Sequence, residues 1–203
     1  MTRPDEKAHP WRADPDLRTR FPTEHPDDLQ VLVHDGEPRR TQRVPEGCWV
    51  RVDSIVGSLR SPCSRDGATA PPTSGSVDWS ERVVYSGTLL NQPKQLARAV
   101  GDRVSFVHAP GMPLPVVVTD EYRRERPSWA VLPCNKCGAD QALDPPTTMA
   151  RTRFPKAPAG SVPISFTAFC PCGGIMVLSI LEDVPGDPGA DETPEPKPWW
   201  RFW

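Results

Sequence analysis

Four cysteines in the C-terminal half of the chain have the spacing of metal ligands. Cys134 and Cys137 form a C-x-x-C-G turn, and Cys170 and Cys172 form a C-x-C-G-G turn further along. Two thiolates separated by two residues can bind one ion, and the glycine that follows permits a tight turn whose N–H groups point at sulfur. Four thiolates around Zn²⁺ make up the closed arrangement of structural zinc sites. The sequence therefore predicts one structural zinc ion held by these four residues.

Other interpretations of the four cysteines are reduced thiols, a redox pair or a catalytic zinc site. A redox C-x-x-C motif is expected beside a βαβ pattern, which this sequence does not show. A catalytic zinc keeps one coordination position open, and four cysteine ligands leave none. The second turn has one intervening residue where two are usual, so we expect a distorted geometry there.

Apolar segments surround both cysteine turns. Residues 129–132 precede the first pair, residues 162–169 precede the second, and residues 174–181 follow it. Paired cysteine turns between β segments are what a zinc ribbon requires. We therefore expect a zinc-ribbon-like unit over residues 127–181, in which metal binding supplies part of the folding free energy because the segment is short and rich in Pro.

The part of the chain before this unit alternates apolar and polar residues over short segments, which is the pattern of half-buried strands. The predicted strands cover residues 29–33, 48–56, 82–90, 103–108 and 114–118. Turn signals separate them and no long helix intervenes, so we expect a small barrel-like or meander β domain over residues 29–126. Residues 57–80, rich in Gly, Ser, Pro and Thr, predict a long surface loop. Residues 119–126 predict a helix capped by Thr119 or Asp120. The predicted core residues are Trp49, Val50, Val52, Leu89, Val104 and Phe106.

Both ends of the chain are rich in Pro and predict disordered tails. Residues 1–28 predict a flexible arm, and residues 182–203 an acidic tail with six acidic and two basic residues. The tail ends with four aromatic residues within five positions, Trp199, Trp200, Phe202 and Trp203. Exposed apolar surface of this size favours binding, either to a protein partner or back onto the same chain. Insertion at a membrane interface is disfavoured by the acidic neighbours.

Basic residues between the cysteine pairs suggest a second type of ligand. Arg151, Arg153 and Lys156 could contact phosphates of a nucleic acid, although such residues also occur on ordinary solvated surfaces. A hydrolytic site is the least favoured hypothesis. His34 is followed directly by Asp35, and Ser105 and His108 would face opposite sides of a regular strand.

Composition narrows the function classes further. The formal net charge is −2, which argues against a strong polyanion binder. No apolar run is long enough for a membrane helix, and the first residues lack the apolar stretch of a signal peptide. We therefore expect a cytoplasmic protein with no membrane span, in which closely spaced cysteines bind metal rather than form disulfides.

Three segments carry a resemblance to a known family. Residues 48–52 form a W-V-x-V strand, residues 85–93 end with G-x-L-x-N-x-P, and residues 101–106 form a G-D-x-V-x-F hairpin. In this order they resemble the YegJ-like family of small bacterial domains of unknown function. The resemblance implies a compact barrel-like β fold, with occasional placement among bacterial immunity-type proteins. Together with the cysteines, it favours a non-catalytic, zinc-stabilised protein-interaction module of an immunity-type or regulatory kind, with a nucleic-acid-associated zinc-ribbon factor as the alternative.

Overall fold

The computed structural model describes residues 9–35, 41–63 and 78–181. These residues are mostly β, as the sequence predicts, and they form two sheets. The strands are β1 (Asp28–Val33), β2 (Glu46–Cys63), β3 (Asp78–Leu89), β4 (Arg103–Val107), β5 (Val116–Val118), β6 (Trp129–Leu132), β7 (Ser165–Phe169) and β8 (Ile175–Ile180). The α-helices described are α1 (Asp120–Glu125) and α2 (Pro146–Arg153).

The first five strands form a closed barrel in the order β1-β2-β3-β4-β5. A parallel pair between β1 and β5, at Leu32 and Val116, closes it. Alternate side chains point inward, so Val31, Val50 and Phe106 meet in one buried cluster. The barrel that the alternating pattern predicts is therefore confirmed.

Trp49 departs from the predicted core. Its neighbours Val50 and Val52 are buried, but Trp49 itself is 37% exposed. Because successive residues of a strand point to opposite faces, Trp49 cannot share the inner face with Val50. The prediction of Trp49 as a core residue was wrong for that reason.

The strands β2 and β3 extend into the region that the sequence predicts as a loop. Residues 57–63 belong to β2 and residues 78–80 to β3, so the loop prediction was wrong for these positions. Residues 64–77 lie outside the described part of the chain. Pairing between neighbouring strands satisfies backbone N–H and C=O groups whatever the side chains are, which allows Gly and Ser to remain in a strand.

The described part of the predicted N-terminal arm packs onto the barrel core. Trp11 is 6% exposed and Leu17 is fully buried, both within the barrel cluster. The indole N–H of Trp11 and the guanidinium of Arg12 both donate to the carboxylate of Asp27, at 2.9 Å and at 2.6–2.8 Å. Residues 9–28 are therefore part of the folded unit, in contrast to the predicted flexible arm. The apolar side chains between the prolines gain burial that offsets the cost of ordering this segment.

The structure divides into two compact units. Among the described residues, the first contains 9–35, 41–58 and 83–118, and the second contains 59–63, 78–82 and 119–181. The second unit thus begins before the predicted boundary at residue 127. It includes helix α1, which starts where the side chain of Thr119 accepts a hydrogen bond from the N–H of Tyr122 at 3.1 Å, as the sequence predicts.

Three antiparallel strands in the order β6-β8-β7 form the sheet of the second unit. The inner face buries Phe166, Met176 and Leu178, and Trp129 packs edge-on against Phe166. Helix α2 lies between β6 and β7 in the chain and was not predicted. It is the longest helix among the described residues, with eight residues where a membrane span needs about 20, and none of the described helices qualifies as a span.

Candidate metal centre

The first cysteine turn follows strand β6 directly. The N–H of Gly138 donates to the carbonyl of Cys134 at 2.9 Å, and the N–H of Lys136 points at the sulfur of Cys134 at 3.4 Å. Gly138 has a φ of 74°, which an L-residue adopts only with strain. The glycine after the C-x-x-C pair therefore has the role that the sequence predicts, since it lets the chain close tightly around sulfur.

The second cysteine turn joins β7 to β8 and has the same construction despite its shorter spacing. The N–H of Gly173 donates to the carbonyl of Cys170 at 2.9 Å, and the N–H of Gly174 points at the sulfur of Cys172 at 3.3 Å. Gly173 has a φ of 84°. The C-x-C turn thus places both thiols on one side of a hairpin.

The four predicted cysteines converge on one point. Their sulfur atoms all lie within 4.8 Å of one another. The sulfurs of Cys134 and Cys172 are 3.5 Å apart, and so are those of Cys137 and Cys170. Each close pair joins one turn to the other, so the cluster links two parts of the chain that are distant in sequence. These four residues are able to hold a metal ion.

Direct contacts between the two turns fix this arrangement. The side-chain oxygen of Asn135 accepts the N–H of Ile175 at 2.9 Å, and the N–H of Asn135 donates to the carbonyl of Ile175 at 3.1 Å. The ammonium of Lys136 donates to the carbonyl of Cys172 at 3.0 Å. Sequence reasoning missed Asn135 and Lys136 because their partners lie about 35 to 40 residues away.

Gly174 lies where the two turns approach each other closely. A Cβ atom there would stand 2.4 Å from the sulfur of Cys134, 2.8 Å from Cβ of Lys136 and 2.9 Å from the side-chain oxygen of Asn135. No residue other than glycine fits at these distances. The second glycine of C-x-C-G-G is thus a sequence signal for the packing of one turn on the other.

Backbone amides also surround the sulfurs, which changes the pKa values of the thiols. Burial, together with interactions with neighbouring thiols, raises the pKa of Cys170 and of Cys137. At Cys134 burial acts in the same direction, but the N–H groups of Cys137 and Lys136 and the thiols of Cys172 and Cys137 outweigh it and lower the pKa to about 6. A thiolate is the form that binds metal. An ion bound by all four residues therefore displaces protons from Cys137 and Cys170 at neutral pH.

A buried polar group supports the chain just after the first turn. The guanidinium of Arg126 is fully buried and donates to the carbonyls of Trp129 at 2.5 Å and Asp140 at 3.1 Å. Gln141, also fully buried, accepts a hydrogen bond from the hydroxyl of Tyr122 at 2.7 Å. These bonds hold β6 and the segment after Cys137 against helix α1. No sequence pattern predicts these bonds, because a buried Arg cannot be recognised from its neighbours alone.

The predicted basic residues lie on the surface of the second unit. Arg151 and Arg153 are in the last turn of α2 and Lys156 follows it, and all three are exposed. The guanidinium of Arg153 lies over the ring of Phe169, 5.5 Å from its centroid. The aromatic residues Trp199, Trp200, Phe202 and Trp203, predicted to bind a partner, lie outside the described residues.

The histidine considered for a hydrolytic site contacts the backbone instead. Nε2 of His34 lies 2.8 Å from the carbonyl oxygen of Val117 within the barrel. Burial lowers the pKa of His34, so the neutral ring is favoured. Its hydrogen bond closes β1 against β5.

Comparison with known proteins finds no match to this chain. The chain matches no protein-family model, and no curated protein or solved structure matches it. The resemblance to the YegJ-like family stays a prediction, and the function has to be inferred from the site.

Proposed function

We propose that the second unit binds one structural zinc ion through Cys134, Cys137, Cys170 and Cys172, and that the protein is a non-catalytic protein-interaction module stabilised by this ion. The observation that carries the proposal is the convergence of four thiols within 4.8 Å, each turn closed by glycine and by N–H groups aimed at sulfur. Zinc is the ion most often held by four cysteines in this way.

The sulfur spacing suits a tetrahedral ion. Four sulfurs at about 2.3 Å from a central Zn²⁺ stand about 3.8 Å from one another. The two close pairs are 3.5 Å apart and no pair exceeds 4.8 Å, so an ion requires shifts of less than about 1 Å. A set of four thiolates also leaves no open position for substrate or water, which supports a structural role over a catalytic one.

Elemental analysis of the purified full chain tests the metal assignment. We expect close to one zinc per chain, and none in a variant with Cys134→Ser and Cys170→Ser. Cys48→Ser is the matched control, because Cys48 is also buried but lies in β2, outside the cluster. Iron in place of zinc would refute the choice of ion, and a folded chain without any metal would refute the structural role.

An interaction role is supported by exposed apolar side chains on the second unit. Phe169 and Ile175 are large, exposed and adjacent to the metal centre. The immunity-type or regulatory role implied by the YegJ-like resemblance belongs to this proposal, and a toxin gene next to the gene for this chain would support it. Purification of tagged protein from its native host, with the Cys134→Ser, Cys170→Ser variant as control, should recover a partner only with the metal-binding form.

A second candidate function is nucleic-acid binding, and the pair of Arg153 over Phe169 favours it. An exposed ring with a guanidinium above it offers a base a stacking platform and a phosphate a cation. Titration with a single-stranded oligonucleotide at several salt concentrations tests this candidate. Binding that weakens with salt and is lost when Arg151, Arg153 and Lys156 are changed to Ala would favour it over the interaction module.

A further inference from the structure

The outer face of the second sheet carries an apolar pair beside the metal centre. Phe169 and Ile175 lie directly opposite each other in the β7–β8 register and are 48% and 42% exposed. They immediately flank the second cysteine turn, so the ion that fixes this turn also fixes their positions. The guanidinium of Arg153 lies over the ring of Phe169. We call the surface formed by Phe169, Ile175 and Arg153 the Phe169 face.

Positive charge predominates in the chain segment that contains this face. Residues 145–181 contain Arg151, Arg153 and Lys156 and no Asp or Glu. All three cations are exposed, and one of them is in direct contact with the Phe169 ring. A ligand that suits the Phe169 face therefore combines aromatic or apolar groups with negative charge.

The segment that follows β8 in the chain has this combination. Residues 182–203 contain six acidic and two basic residues and end with Trp199, Trp200, Phe202 and Trp203. We propose that this tail binds across the Phe169 face of its own chain, with aromatic side chains against Phe169 and Ile175 and carboxylates beside the cations. The inference rests on the proposed function: the tail occupies the binding surface of the interaction module, and an external partner displaces the tail.

The length of the tail suits binding within one chain. Strand β8 begins at Ile175, so the start of the tail after Leu181 is about 20 Å away along the strand. Residues 182–198 precede the first tail tryptophan, and 17 residues of a Pro-rich chain extend to about 50 Å at about 3.1 Å per residue. The aromatic end therefore reaches the Phe169 face without being stretched. A tether of this length gives the tail an effective concentration of about 1 mM at the face. A contact that would be too weak to form between separate molecules can therefore form within one chain.

A cleavable tether tests the proposal in the full chain. A protease site is inserted between Leu181 and Glu182, and side-chain accessibility is measured by hydroxyl-radical labelling of Phe169 and Ile175 before and after cleavage at about 1 μM protein. With a tail affinity of about 100 μM, the intact chain has about 90% of its Phe169 faces covered. We expect cleavage to raise labelling of both residues about tenfold, and a variant with Arg151→Glu and Lys156→Glu to show high labelling without cleavage. Arg18→Glu and Arg43→Glu, which change exposed cations of the first unit, are the matched control.

Three results would overturn the proposal. Equal labelling before and after cleavage would show that the tail does not cover the Phe169 face. If labelling of the intact chain falls only at high protein concentration, the tail binds the Phe169 face of a second copy instead of its own. Protection of the cleaved protein by a single-stranded oligonucleotide, with none from added tail peptide, would make the face a nucleic-acid site. Zinc content measured on the same samples tests the proposed function separately, since the labelling comparison needs no metal.

Discussion

Replacement of Gly174 by Ala tests the metal centre most directly, because the structure gives the size of the conflict. The added Cβ would stand 2.4 Å from the sulfur of Cys134, whereas ordinary contacts begin at about 3.5 Å. The sulfur would have to move by about 1 Å. Metal sites tolerate deviations of about 0.2 Å in ligand distance, so the turn and the ion cannot both keep their positions.

The expected loss follows from the cost of overpacking. Adding a methyl group where no space exists costs about 1–3 kcal/mol. If this cost falls on the metal-bound form, zinc affinity decreases about 5- to 160-fold. Competition with a chromogenic chelator measures that affinity, and urea unfolding with and without chelator measures the accompanying stability of the second unit.

The matched control is Gly160→Ala. Gly160 belongs to the same unit, and a Cβ there meets nothing within 4 Å. Its φ is 80°, unlike that of Gly174, so this variant adds backbone strain of about 1–2 kcal/mol to the unit without any contact with sulfur. Equal zinc affinity of the Gly174→Ala and Gly160→Ala variants would refute the reasoning that the two cysteine turns form one metal centre.

Three other predictions follow from the cluster and the barrel. Cys137→Ser should unfold residues 127–181 of the second unit and leave the barrel largely formed, seen as loss of amide protection in residues 127–181 alone; full stability without metal would contradict this. Trp11→Ala should lower the free energy of unfolding of the barrel by about 3–5 kcal/mol in urea, and a loss below about 1 kcal/mol would mean that residues 9–28 are only peripheral. The pKa of His34 is lowered by burial, so the unfolded chain takes up its proton first and stability falls as the pH drops below about 6.5. His34→Gln should reduce the fall of stability with pH by at most about 1.4 kcal/mol per pH unit, measured by thermal unfolding at pH 5.5–7.5. An unchanged pH dependence of stability would show that His34 does not cause this fall.

The sequence predicts those features that depend on local spacing. Alternation locates the barrel strands because one face of each strand must be buried. The four cysteines are found for a similar reason, since a chelating turn needs two thiols and a glycine within five residues. Even the shorter C-x-C spacing, which suggests distortion, keeps the same glycine conformation at Gly173 as the longer turn has at Gly138.

The features that the sequence does not predict depend on partners far along the chain. Asn135 contributes to the metal centre only because Ile175, 40 residues later, offers both an N–H and a carbonyl. The N-terminal segment is ordered by the carboxylate of Asp27, which binds Trp11 and Arg12 across about 15 residues. Composition indicates disorder for that segment, because composition does not record which apolar residues find a core.

The position of the four cysteines in the sheet explains how one bound ion would stabilise the whole second unit. Strand β6 ends just before Cys134, β7 ends just before Cys170, and β8 begins just after Gly174. The cluster therefore joins all three strands at the same end. Among the described residues, each of the two edge strands β6 and β7 pairs in this sheet only with the central strand β8. A unit with about 70 described residues buries a small core and has little stability of its own. Binding of zinc to four cysteines contributes about 10–16 kcal/mol in small domains, as much as the total stability of most proteins. Removal of the ion should therefore separate unfolding into two transitions, with the second unit lost first and the barrel retained.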